Sequence, residues 1–253
     1  FSSVLAGLAL YRRALTAWGT LLAWGLCVGI CAFGGLPAFL ILAVTFLGTA
    51  AADRLAGKRA DPHALRRKSG RRDAVRVFCN VGVAAAMLFL SGITGKPGFN
   101  QLRFLLAYSA VMAESLSDSL ASKLGPLGKG PTVDICHFRR VEAGLSGGVS
   151  WAGSAAAALG ALLIGGLTLL FPGVREKDAL LAAFIGFSGC LFDSILGSLA
   201  QVKYRCPVCR TLSERNCHCG VPGAVFWGLR PINNDVVNLL SNAFAAALAL
   251  LIF

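Results

Sequence analysis

Long apolar runs separated by short polar segments set the pattern along this chain of 253 residues. A bilayer core about 30 Å thick requires roughly 20 apolar residues in a helix, because backbone polar groups in lipid must pair within the segment. The runs that are long enough lie at about 16–33, 36–52, 75–94, 103–122, 146–170, 179–201 and 233–253. The pattern therefore predicts an all-α fold, a polytopic transmembrane helix bundle of about seven spans. Only Gly34 and Gly35 separate the first two runs ahead of Pro37, which predicts a tight helical hairpin there.

The composition agrees with a membrane protein and argues against an ordinary soluble domain. Hydrophobic residues make up 56% of the chain and charged residues 14%, whereas soluble domains carry about 25% charged residues. We expect a single integral membrane domain over residues 1–253, with a Cys-rich segment at 203–222 inserted between the last two spans.

The net charge of +12 is distributed unevenly over the two sides of the predicted bundle. Twenty of the 24 lysines and arginines fall in the N-terminal segment and in the loops around 53–74, 123–145 and 202–232. A seven-span arrangement places all of these segments on one side. The positive-inside rule then predicts that the N-terminus is inside and the C-terminus outside. Because topology accounts for the basic charge, we expect no nucleic-acid partner.

Four acidic residues fall within or at the ends of predicted spans: Glu114, Asp118, Asp193 and Asp235. An ionisable side chain near the bilayer centre is costly unless it faces a partner or a cavity. Asp235 also begins a polar stripe that continues through Asn238 and Asn242. Oxygen ligands of this kind suit Mg²⁺ together with substrate phosphates, which indicates a phosphate-handling or cation site. In such a site the carboxyl groups of Asp118, Asp193 and Asp235 should converge in one pocket. The alternative is that these groups pair with each other and with basic residues to hold the bundle together.

A glycine-rich segment, residues 144–150, opens the predicted fifth span and follows Arg139 and Arg140. Glycines let the backbone approach a ligand closely, and a helix N-terminus offers free N–H groups to an anion. We therefore expect anion binding at this helix start. The alternative is a flexible entry to a helix that packs closely through small residues.

Four cysteines lie close together in the Cys-rich segment: Cys206, Cys209, Cys217 and Cys219. A CxxC pair followed by a CxC pair supplies four thiolates for one tetrahedral Zn²⁺ ion, and His218 is an alternative to one of them. With four protein ligands the site is closed, so its role is structural. Two disulfides are the other reading, which the reducing environment of the assigned side disfavours.

Several segments together resemble one family of membrane proteins. They are residues 71–82, 117–126, 144–150, 193–197 followed by Gln201, 233–238 and the Cys-rich loop. On these motifs the chain resembles the transmembrane protein 19-like integral membrane family, a domain of unknown function. That family includes the plastid phytyl-phosphate kinase of tocopherol synthesis. The resemblance covers nearly the whole chain.

The resemblance implies a kinase that transfers a phosphoryl group from a nucleoside triphosphate such as CTP to a membrane isoprenoid monophosphate. The polar motif residues that the resemblance carries over are Asp118, Asp193, Asn234, Asp235 and Asn238. We infer that the catalytic carboxylates Asp118, Asp193 and Asp235 hold Mg²⁺, since phosphoryl transfer is mainly positioning and charge neutralisation. For substrate and phosphate binding we expect Ser122, Lys123, Arg139, Arg140, Gly144, Ser146, Gly147, Gly148, Gln201, Asn234 and Asn238. The membrane is expected to be that of an organelle, a plastid or a mitochondrion.

One departure from the family keeps other functions open. Lys123 stands where the family has an acidic residue, and Leu120 stands in place of its Trp. The first exchange removes a candidate metal ligand and adds a competing cation. A non-catalytic structural subunit of a larger membrane complex is therefore an alternative. A small-solute transporter is a third, although the polar groups gather on one side and no inverted repeat is evident.

Overall fold

The computed structural model of the chain describes residues 16–59, 73–93 and 99–253. Within these ranges the protein is mainly helical. The helices are α1 (Ala17–Arg59), α2 (Ala74–Ile93), α3 (Phe99–Leu124), α4 (Trp151–Thr168), α5 (Glu176–Leu199) and α6 (Asn234–Ile252). A short 3-10 turn, Gly125–Leu127, follows α3 directly.

Gly35 divides α1 into two helical segments. Its backbone has φ 64° and ψ −158°, which lies outside the helical region and which glycine adopts without a Cβ clash. Pro37 follows two residues later inside the helix and cannot donate a backbone hydrogen bond. The interruption falls between the runs at 16–33 and 36–52, so the predicted division into two spans is confirmed.

The central helix of the bundle is α3, which packs against every other helix of the described chain. Its middle section is fully buried, and the Tyr108 hydroxyl donates a hydrogen bond to the Ala38 carbonyl at 2.7 Å. The Phe171 ring meets the Tyr108 ring edge-on at 6.5 Å. This helix also carries the acidic residues Glu114 and Asp118, so the polar groups lie on the most enclosed helix of the protein.

Small residues let α5 approach α3 closely. A Cβ atom added to Gly186 would lie 2.8 Å from the backbone nitrogen of Glu114. One added to Gly189 would lie 2.7 Å from Glu114 Cγ. Close approach through small residues is typical of helix packing in membranes. Here it leaves room for a carboxylate between the two helices.

Five helices in the described ranges are long and apolar enough to cross a membrane: α1, α2, α4, α5 and α6. With α1 counted as two segments and α3 added, a helix is present at each of the seven predicted positions. One boundary was wrong. The fifth span begins at Trp151, so the glycine-rich segment at 144–150 precedes the helix and does not form its first turn.

Three contacts show that the loops predicted to share a side meet at one end of the bundle, called here the polar end. Lys123 Nζ lies 3.0 Å from Asp53 Oδ1, which joins α3 to α1. Arg76 Nε lies 3.1 Å from Asp235 Oδ1, which joins α2 to α6. The Ser146 N–H donates to Glu214 Oε1 at 2.8 Å. The basic residues predicted for this side at 1–15 and 60–72 lie outside the described residues.

Short strands build the loops of the polar end. A two-stranded ladder, β1 and β2, joins the segments between α3 and α4, and two further sheets lie between α5 and α6. The strands are β1 (Val133–Asp134), β2 (Gly148–Val149), β3 (Lys203–Arg205), β4 (Leu212–Ser213), β5 (Cys217–His218), β6 (Val221–Pro222) and β7 (Ala224–Trp227). The order in the three-stranded sheet is β4-β3-β7, and β5 pairs with β6.

Candidate functional site

Two helices, α3 and α5, bring carboxylates together near the polar end, and α6 supplies a hydroxyl between them. Ser241 Oγ of α6 lies 2.7 Å from Glu114 Oε1 of α3 and 3.3 Å from Asp193 Oδ2 of α5. One hydroxyl therefore bridges two carboxyl groups that come from different helices. Glu114 is almost completely buried.

Asp118 belongs to the same group. It follows Glu114 by one helical turn and acts electrostatically on both Glu114 and Asp193. The sequence analysis predicted that Asp118 and Asp193 converge, and the structure places them near each other. We call Glu114, Asp118 and Asp193 the carboxylate cluster.

Asn238 connects this cluster to α2. In one amide orientation its nitrogen donates to Asp193 Oδ2 at 3.3 Å and to the Asn234 carbonyl at 3.0 Å. In the other orientation the nitrogen donates to Asn80 Oδ1 at 3.0 Å. Asn234 and Asn238 lie in the first turns of α6, and Asn238 lies beside Asp193 of α5.

Asp235 forms an ion pair with a basic residue of α2. Its carboxylate pairs with Arg76, and it lies in the first turn of α6, which Asn233 caps. A carboxylate there interacts favourably with the helix dipole. That Asp235 shares one pocket with Asp118 and Asp193 stays a prediction. Asn238, one turn further on, lies beside Asp193.

The glycine-rich segment forms a loop that lies on the end of α5. Gly147 has φ 84°, and a Cβ added there would lie 2.6 Å from the Ser198 backbone nitrogen. A Cβ added to Gly197 would lie 2.9 Å from the Gly147 nitrogen. Because Gly197 follows Asp193 by four residues, the two share a face of α5. The loop therefore lies about one turn from the carboxylate cluster.

Anion binding was predicted at the start of the fifth span, which is α4 in the structure. Ser150 caps α4, where its hydroxyl accepts a hydrogen bond from the Gly153 N–H at 3.2 Å. The anionic contact lies earlier in the loop, where the Ser146 N–H donates to Glu214. Gly144 and Gly148 complete the loop, Gly144 with φ 86° and Gly148 in β2.

The remaining predicted phosphate ligands lie at the polar end in varied surroundings. Arg139 and Arg140 are exposed in the turn between β1 and β2. Ser122 Oγ lies 3.4 Å from the Ser119 carbonyl within α3, and Lys123 pairs with Asp53. Gln201 is fully buried just after α5, and its Nε2 atom finds no hydrogen-bond partner among the described residues. The buried Gln201 amide therefore has an unsatisfied hydrogen-bond donor, which a phosphate oxygen would satisfy.

The sequence analysis missed a cluster around Asp134, next to the glycine loop. Asp134 Oδ1 accepts hydrogen bonds from the Ser198 hydroxyl at 2.7 Å and from the backbone N–H groups of Cys136 and His137. Burial raises the pKa of Asp134, but these hydrogen bonds outweigh it and lower the pKa to about 2. The cluster ties the β1–β2 loop to the end of α5. Ser198 and Asp134 are 64 residues apart, so no local pattern reveals their contact.

The Cys-rich loop gathers four metal-binding side chains. The ligand atoms of Cys206, Cys209, His218 and Cys219 all lie within 4.8 Å of one another. The sulfurs of Cys209 and Cys219 are 3.7 Å apart, and each lies 3.3 Å from His218 Nδ1. A tetrahedral zinc site with Zn–S bonds of about 2.3 Å has S–S edges of roughly 3.8 Å, so the set fits a metal ion.

Cys217 is outside this group, which corrects the predicted set of four thiolates. It precedes His218 on β5, and successive strand residues point to opposite faces. Because His218 points toward the other ligands, Cys217 points away from them and is exposed. The nine cysteines all lie within the described residues, and none of them forms a disulfide.

A multi-pass helical bundle with buried carboxylates and a Cys/His loop at one end defines this chain as an integral membrane protein with a polar site. The sequence pattern of the family described as "Integral membrane protein DUF92" matches residues 1–246, and the chain belongs to that family. No solved structure gives a significant match.

Curated relatives cover most of the chain at moderate identity. "Protein PGR" of Arabidopsis thaliana is 30% identical over 69% of this chain and 67% of its own length. "Protein VTE6, chloroplastic" of the same plant is 25% identical over 87% of this chain and 59% of its own length. An uncharacterized membrane protein of Synechocystis is 30% identical over 76% of this chain and 74% of its own. This chain therefore matches only part of each of these relatives.

Proposed function

We propose that this protein is a prenyl-phosphate kinase, which transfers the terminal phosphoryl group of a nucleoside triphosphate to a membrane isoprenoid monophosphate. The products are the isoprenoid diphosphate and the nucleoside diphosphate. The observation that carries this proposal is the position of the glycine loop on α5, one turn from Asp193. A loop with backbone N–H groups for phosphate oxygens thus lies beside carboxylates suited to a cation.

The donor set of the carboxylate cluster fits Mg²⁺, because carboxyl oxygens from two helices lie near one another and are the hard ligands that this ion takes. Asp118 and Asp193 would hold the ion, which supplies neutralisation of phosphate charge. The chain itself positions the reactants. Asn238 orients Asp193, and the glycine loop and Gln201 offer N–H donors to phosphate oxygens.

The membrane explains how such a substrate reaches this site. An isoprenoid tail is apolar and fits between the helices, while its phosphate requires the polar end. The Cys-rich loop, with zinc bound to Cys206, Cys209, His218 and Cys219, would fix the loop structure above that end. The membrane is that of an organelle, a plastid or a mitochondrion, and the chloroplastic relative supports the plastid. The N-terminus is inside, which the one-sided distribution of lysine and arginine supports.

The test is prenyl-phosphate-dependent consumption of nucleotide by the purified protein in lipid nanodiscs. CTP, ATP, GTP and UTP are each supplied with Mg²⁺ and with phytyl, geranylgeranyl or farnesyl phosphate. The proposal expects diphosphate product only when both substrates are present. Absence of product for every combination, with folded and metal-loaded protein, would contradict it.

One observation favours a second candidate, a non-catalytic subunit of a larger membrane complex. Lys123 replaces the family's acidic residue, and its ammonium pairs with Asp53. In that role Lys123 joins helices and takes no part in chemistry. Purification from native membranes in a stoichiometric complex, without kinase activity, would support this candidate.

A further inference from the structure

Glu214 occupies the glycine loop in a way that resembles a bound anion. Its Oε1 atom accepts the Ser146 N–H at 2.8 Å, across 68 residues of chain. Glu214 itself lies just after β4, in the Cys-rich loop. The contact therefore joins the metal-binding loop to the loop proposed to bind phosphate.

The charged groups around Glu214 are of the kind that surround a bound phosphate. Glu214 acts electrostatically on Asp193, so its carboxylate lies near the carboxylate cluster. It also interacts with Lys203, a buried lysine of β3 whose other anionic neighbour is Asp134. Burial lowers the pKa of Lys203. A buried ammonium requires nearby negative charge, which Asp134 and Glu214 supply.

We propose that Glu214 is a displaceable internal ligand: its carboxylate holds on the glycine loop the place that a phosphate group of the nucleotide takes. This inference deepens the proposed function and rests on it for the identity of the ligand. The exchange preserves charge balance. A phosphate oxygen accepts the Ser146 N–H and faces Lys203, while the Glu214 carboxylate moves out to water.

The exchange also couples the nucleotide to the Cys-rich loop. Glu214 lies between buried Ser213 and the strand that carries His218. A metal ion bound to Cys206 and His218 makes this segment move as a unit. Release of Glu214 therefore removes the hydrogen bond that joins the Cys-rich loop to the glycine loop.

The first test measures binding of inorganic pyrophosphate and of CTP to the full chain in detergent. The variants are Glu214→Ala, Glu214→Gln and, as a control, Glu176→Ala. Glu176 is exposed in the first turn of α5, away from the polar end. An internal competitor raises the apparent dissociation constant in inverse proportion to the fraction of protein that it leaves open. With about a tenth of the protein open, its removal should lower the constant about tenfold. Glu214→Gln keeps the shape and loses the charge, and should give an intermediate change.

The second measurement keeps the proposal falsifiable if Glu214→Ala folds poorly. Amide hydrogen exchange of wild-type protein should show reduced protection across 206–219 when pyrophosphate is added. An unchanged or raised dissociation constant in folded Glu214→Gln would overturn the proposal, as would unchanged exchange with pyrophosphate bound. Absence of pyrophosphate and CTP binding in all forms would overturn it too. Tighter binding without kinase activity would refute the proposed function alone.

Discussion

The Lys123 ammonium lies 3.0 Å from the Asp53 carboxylate and joins the end of α3 to α1. Lys123 is mostly buried, whereas half of the Asp53 side chain is exposed. The residue that departs from the family's acidic pattern therefore has a partner on a neighbouring helix. A mutation that restores an acidic residue at position 123 therefore also removes the ion pair with Asp53.

Lys123→Glu places two carboxylates at this contact and should lower the melting temperature. The loss should be about 1 kcal/mol, because partly exposed pairs contribute that much at most. Asp53→Lys combined with Lys123→Glu reverses the charges and should recover stability, as thermal unfolding in detergent would show. Only the double variant is a fair test of whether a carboxylate at position 123 raises kinase activity. Equal destabilisation of single and double variants would show that the pair is unimportant.

Substitutions of the neighbouring residues Cys217 and His218 in the Cys-rich loop should affect metal content differently. Cys217→Ser should leave the metal content of purified protein at about one zinc per chain, because Cys217 lies outside the ligand group. His218→Ala should lower metal content and loosen the loop, since binding and loop folding are coupled. Elemental analysis of both variants measures this. Loss of zinc in Cys217→Ser with retention in His218→Ala would restore the four-thiolate assignment.

Two glycines of the same loop should respond differently to alanine. Both have positive φ, which costs roughly 1–2 kcal/mol in alanine. At Gly147 the added Cβ would also lie 2.6 Å from the Ser198 nitrogen, whereas at Gly144 the nearest atom is 3.6 Å away. Gly147→Ala should therefore destabilise the protein more and should also impair nucleotide binding. Equal effects of the two substitutions would mean that the loop does not rest on α5.

The stabilisation that Asp134 contributes should depend on pH in the acid range. Its pKa falls from the ordinary 3.8 to about 2 in the folded protein, so its stabilisation is complete above pH 4 and is lost as the pH falls through about 2. Asp134→Asn should cost about 2 kcal/mol at pH 7. The difference in melting temperature from wild type should shrink between pH 4 and pH 2. A difference that stays constant over this range would exclude the charge as its cause.

The helix positions were predictable because an apolar run of about 20 residues in a membrane has few alternatives. The carboxylate pairing of α3 with α5 also followed, since ionisable residues in lipid must meet partners. The start of α4 was misjudged by several residues. Ser150 ahead of Trp151 is a recognisable helix cap, and Gly147 has a positive φ, which lies outside the helical region.

Other features depend on contacts that no local pattern encodes. The choice of His218 over Cys217 follows from the alternation of β5, and the sequence did not show that strand. Asp235 pairs with Arg76 across 159 residues, so this ion pair required the fold. The bonds from Ser198 to Asp134 and from Ser146 to Glu214 span 64 and 68 residues of the chain.

The central claim is that the carboxylate cluster supports phosphoryl transfer, and Asp193→Asn tests it most directly. The measurement is the kcat of prenyl-phosphate-dependent CTP consumption by wild type, Asp193→Asn and the control Glu176→Gln, each with its melting temperature. The account predicts a fall of roughly 100-fold or more in kcat for Asp193→Asn, with a small change in stability and no change in the control. Wild-type turnover that Asp193→Asn retains in full would contradict it.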